Sequence, residues 1–62
     1  MVLATEFQAI NKVVRISQQY PDEVVVIFRK ANGEYDIVPE AEYRGEEENI
    51  VGRYLNGHIA PA

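Results

Sequence analysis

Along the first third of the chain, Phe7, Ile10, Val14 and Tyr20 recur at spacings of three, four and six, with Ser17 in the same register. Leu3 and Val13 lie beside this stripe. Such spacing puts the side chains on one face of an α-helix. Thr5-Glu6-Phe7-Gln8 fits a capping box, in which the Thr side chain accepts from a backbone N–H and Gln8 reaches back. Pro21 supplies the stop, because the residue before a proline is pushed away from helical angles. Ile16 dissents: it falls about half a turn from Phe7, where a polar side chain is expected. The competing pattern makes Lys12 to Gln19 a strand and Tyr-Pro-Asp-Glu a turn.

The period then changes. Val24 to Phe28 are apolar without a break, which on a strand offers hydrophobic surface to both faces. Asn32-Gly33 follows, a pair that tolerates the positive φ of a two-residue hairpin turn. That turn sets Phe28 opposite Ile37, Val26 opposite Pro39, Ile27 opposite Val38 and Arg29 opposite Asp36. Pro39 cannot donate to a ladder and so marks an edge strand. Glu46 to Asn56 reads as a short helix, with three glutamates at its start, Ile50, Val51, Tyr54 and Leu55 on one face, and Asn56-Gly57 as its stop. Gly52 inside it costs about 1 kcal/mol relative to alanine.

The expected architecture is therefore a small α+β domain spanning residues 1–62. It has an N-terminal helix, an antiparallel β-hairpin over about 23–43 with its turn at 32–33, and a short C-terminal helix. The alternative is a three-stranded antiparallel meander followed by the C-terminal helix. The helices are assigned to the face carrying Val24, Val26, Phe28, Ile37, Ala41 and Tyr43. Val25, Ile27 and Val38 are left as a second apolar strip.

Composition sharpens that point. A domain of 62 residues buries only about 60% of the surface its unfolded chain exposes. Cysteine is absent, which removes disulfides and thiolate zinc sites as staples. Self-association through Val25, Ile27 and Val38, as a homodimer, is the cover that remains. No apolar run is long enough for a membrane span or a signal-peptide core, so no membrane partner is expected and the cytoplasm is the default location.

Net charge is −4, unevenly spread. Residues 1–33 carry Lys12, Arg15, Arg29 and Lys30 against Glu6, Asp22 and Glu23. Residues 34–62 carry Glu34, Asp36, Glu40, Glu42, Glu46, Glu47 and Glu48 against only Arg44 and Arg53. Those seven acids point to a protein-interaction or regulatory module that meets a basic surface, in its strongest form an inhibitor of a nucleic-acid-processing partner. The alternative is a small dimeric nucleic-acid-binding regulator using Lys12, Arg15, Arg29 and Lys30.

Catalytic chemistry finds little material. Nucleophilic catalysis needs an activated group with a base in reach, yet the chain has one serine, Ser17, and one histidine, His58, in the tail. There is no glycine-rich phosphate loop. Glu42 with Glu46 to Glu48 could offer oxygen ligands to a hard cation, but acids opening a helix are ordinary complements of its dipole. The chain is read as non-enzymatic, with no catalytic residue, metal or cofactor.

Overall fold

The structure, a computed structural model, describes residues 6–60. Glu6–Gln19 form helix α1, so the helical reading of residues 12–19 holds against the strand reading. Thr5 of the capping box, and Leu3, lie outside the described residues. Past the helix, the Glu23 N–H donates to the Tyr20 C=O at 3.0 Å, closing a turn around Pro21.

The buried face of α1 is not the one the large apolar residues mark. Ala9, Val13 and Ser17 are fully buried, with Ile10 and Ile16 packed beside them. Phe7 is 77% exposed and Tyr20 55% exposed. Ile16, the dissenter, belongs to the core stripe. The reason is steric: Ala9 and Ser17 are small and let the helix axis approach the sheet, which a phenylalanine at the centre of the face would prevent.

Beneath α1 lies a four-stranded antiparallel sheet built from β1 (Val25–Arg29), β2 (Tyr35–Pro39), β3 (Ile50–Leu55) and β4 (His58–Ile59), in the order β2-β1-β3-β4. The chain is thus a small α+β domain with one N-terminal helix. β1 is a central strand, which is the position a doubly apolar strand suits. β2 is an edge, as Pro39 predicts.

Two corrections concern the first hairpin. Its loop has three residues, Ala31 to Gly33, not two. The Lys30 N–H donates to the Glu34 C=O at 2.7 Å, the Gly33 N–H donates to the Lys30 C=O at 3.0 Å, and only Gly33 takes positive φ, +87°. Asn32 braces this loop with its side chain: its Oδ1 accepts the Glu34 N–H at 3.0 Å, and its Nδ2 donates to the Glu34 carboxylate. The pairing becomes Ile27 with Ile37, Val26 with Val38 and Phe28 with Asp36. A slip of one residue exchanges the faces of one strand relative to the other.

The second correction follows from the first. Val25 and Ile27 share the helix-covered face with Tyr35, Ile37 and Tyr54, and both are buried there, at 2% and 0% exposure. Of the expected second strip, Val25 and Ile27 are thus core residues under α1, and Val38 is half-buried on the opposite face. Val26 and Phe28 point to that opposite face, away from α1.

The C-terminal helix is also overturned. Glu47–Asn49 make a single 3-10 turn, and Ile50–Leu55 are strand β3, paired with β1. Gly52 lies opposite Ile27, where an added Cβ would stand 3.7 Å from the Ile27 side chain. The register shifts at Ile27/Phe28, since Phe28 pairs with Ile50 and Val51 is left as the extra residue of a bulge. Asn56-Gly57 is not a helix stop. With φ of +50° and +83°, it is the two-residue turn of the β3–β4 hairpin, so the second Asn-Gly takes the geometry expected of the first.

Candidate functional site: an acidic connection across the back of the sheet

The chain leaves β2 at Pro39 and re-enters the sheet as β3 on the other side of β1, so residues 40–49 must cross over β1. Their contacts with Phe28 and Arg53 put them on the face opposite α1. Two contacts fasten this crossing. The Tyr43 ring lies against Phe28 with centroids 4.9 Å apart, and its O–H donates to the Glu46 C=O at 2.6 Å. Gly45 makes room for that ring: a Cβ there would stand 2.7 Å from Tyr43 Cζ. The second fastening is Arg53, which sits opposite Val26 on β3. Its Nε donates to Glu40 at 2.7 Å, and its Nη2 donates to both oxygens of Glu47 at 2.7 and 2.8 Å. These bonds, to Glu47 first and Glu40 second, hold the guanidinium above the ordinary arginine range. Val26, on this face, has no exposed surface. The central strand is thereby covered on both sides within one molecule.

The seven predicted acids therefore divide. Glu40 and Glu47 are ion-paired to Arg53. Asp36 faces Lys30 at 3.8 Å, and its Oδ1 accepts the Ile37 N–H at 2.8 Å. Glu34 is engaged by Asn32. Glu42, Glu46 and Glu48 are exposed on the crossing itself, held in place by its two fastenings. Arg53 is the residue the sequence reading missed. Its sign was visible as the last base of the chain, but its partners depend on β3 being a strand in this register.

The four predicted bases are split between elements. Lys12 and Arg15 stand on α1, whereas Arg29 and Lys30 are at the far end of β1. Arg29 and Lys30 do line an open cleft of about 400 Å3 together with Arg44, with Phe28, Val38 and Tyr43 as its apolar part and Glu42 as its one acid. Ser17 is buried in the helix–sheet interface: its Oγ donates to the Val14 C=O at 2.9 Å and accepts the Gly57 N–H at 2.8 Å. His58 is exposed on β4. Among the described residues, no three His, Cys, Asp or Glu side chains cluster as metal ligands would, and no helix is long and apolar enough to cross a membrane.

Comparison with protein-family models, with curated proteins and with solved structures found no match. The chain is assigned to no family, and its class rests on the architecture alone: one helix on a four-stranded antiparallel sheet.

Proposed function

We propose that this chain is a small non-enzymatic interaction module whose acidic crossing, residues 40–49, docks on a basic surface of another protein and regulates it. One observation supports the reading above others. Glu42, Glu46 and Glu48 project from a segment whose backbone is pinned by Tyr43 and Arg53, so their attachment points are set rather than carried on a wandering loop. Carboxylates clustered on such a segment steer a basic partner, and the segment loses little backbone freedom on binding. Self-association loses the footing given to it above, since α1 and the crossing cover the strand that called for a second copy; docking needs none. The test is capture of a partner from the native host, compared with the triple variant Glu42→Lys, Glu46→Lys, Glu48→Lys. The triple variant should lose the captured protein, and raised salt should release it. Retention of the same partner by the triple variant refutes the reading.

The second reading, nucleic-acid binding, draws support from the cleft that Arg29, Lys30 and Arg44 share with Phe28 and Tyr43, a combination of cations and aromatic rings that suits an unpaired base and its phosphate. Here Arg29→Glu with Arg44→Glu should abolish binding of a short single-stranded oligonucleotide, while the acidic triple variant should not.

A further inference from the structure

The geometry points to the place where the basic partner puts an apolar anchor: a groove of about 360 Å3 between the last turn of α1 and the outer edge of β2. This inference rests on the acidic-docking reading and locates its specificity. The groove is walled by Ile16 and Tyr20 from the helix side, by Val25 below, and by Ile37, Val38 and Pro39 from β2. Tyr20, 55% exposed, offers an aromatic ring at its mouth, the kind of side chain that dominates binding energy at interfaces. The volume falls in the lower part of the range of ligand pockets, about 300–1,000 Å3, which leaves room for a branched aliphatic side chain with the stems of its neighbours but not for a folded element.

Charge selects the occupant. The charged residues lining this groove are Glu23, at the end of the Pro21 turn, and Glu42, on the acidic crossing. Among the described residues neither side chain is ion-paired. A leucine-like residue flanked by lysine or arginine would place its apolar side chain in the groove and its cations against these two carboxylates.

The backbone of β2 is poor in donors for the usual way of binding at a sheet edge. The even residues of β2 bond inward to β1, as the Glu40 N–H to Val24 C=O bond of 2.9 Å shows at one end of the ladder, so Tyr35, Ile37 and Pro39 face outward. Of their donors, the Ile37 N–H is taken by Asp36 Oδ1 at 2.8 Å, and Pro39 has none. Strand addition would find one free donor in three residues. Recognition at this groove therefore runs through side chains, and Asp36, counted among the partner-binding acids, acts instead to close the edge.

The experiment titrates the isotope-labelled chain by NMR with three capped pentapeptides: leucine flanked by lysines, serine flanked by lysines, and leucine flanked by glutamates. The leucine–lysine peptide should shift the amides of Ile16, Tyr20, Ile37 and Val38. It should bind at least fivefold tighter than the serine peptide, and the glutamate peptide should not bind. Glu23→Lys with Glu42→Lys should weaken it at least tenfold, whereas Glu6→Lys, at the opposite end of α1, should change affinity less than twofold. Equal binding of the leucine and serine peptides, or shifts confined to Glu46–Asn49, overturns the groove while leaving acidic docking in place. Absence of binding by either lysine peptide at low salt overturns the groove, and acidic docking also falls if the triple variant then captures the same partner as the native chain.

Discussion

Replacing Ser17 with alanine removes one oxygen from the middle of the helix–sheet interface. That oxygen is fully buried and accepts the Gly57 N–H at 2.8 Å, tying α1 to the turn between β3 and β4. In the Ser17→Ala variant the Gly57 N–H has no acceptor from the helix. Leaving a buried donor unsatisfied costs about 1–3 kcal/mol, and since Gly57 is only half-buried the lower half of that range, about 1–2 kcal/mol, is expected. A domain of this length has roughly 3–9 kcal/mol of total stability. At about 4–8 °C per kcal/mol for small domains, the melting temperature should fall by roughly 4–16 °C. Circular dichroism with thermal and urea unfolding measures the loss, with m unchanged. Hydrogen exchange at the Gly57 amide supplies the local check, because exchange there should accelerate more than in β1. An unaltered melting temperature with unaltered Gly57 exchange would show that the turn is held by the sheet alone and that Ser17 is an incidental helix residue.

The remaining predictions concern the crossing and the state of the chain. Gly45→Ala should push the Tyr43 ring off Phe28, since a Cβ cannot share that space, and should be read as a changed near-ultraviolet dichroism signal with faster exchange over residues 40–49. Arg53→Gln should loosen the same residues while leaving α1 and β1 protected; equal exchange in the two proteins would contradict the clamp. Because the Arg53 pKa is raised in the folded chain, its contribution is complete below the ordinary arginine range and fades only as pH climbs through the raised value, so the clamp's effect should be the same at pH 7 and pH 10. Light scattering after size exclusion should give a single species near 7.1 kDa, and a dimer at low micromolar concentration would mean that a covered face opens.

How much of this was legible beforehand differs by element. The N-terminal helix and its end were written in a 3.6-residue pattern and in Pro21, both local signals. Its buried face was not, because large apolar side chains drew attention away from Ala9 and Ser17, whose smallness is what the sheet selects. The hairpin was legible as a hairpin, but its register hung on a loop of two or three residues, and both fit the string Lys-Ala-Asn-Gly-Glu. Residues 50–55 carry apolar positions at helical spacing and also tolerate a strand; a helix there would have left β1 with one neighbour only. Of the candidate site, the charges were legible and their division into paired and free was not, since Arg53 meets Glu40 across 13 positions and Glu47 across six.

From its sequence alone the chain read as a small mixed domain with a helix favoured over a strand at its start, a doubly apolar strand that demands cover, and an acidic second half. Those follow from side-chain chemistry and short-range periodicity, which act within a few residues. Tertiary structure decided which face each strand shows, which of two Asn-Gly pairs makes the tighter turn, and that residues 40–49 lie over the face of β1 opposite α1. Each of these depends on contacts between segments distant in the chain. Pairing β3 with β1 satisfies a backbone edge and an apolar side chain at once, and no local preference in residues 46–56 could outweigh that.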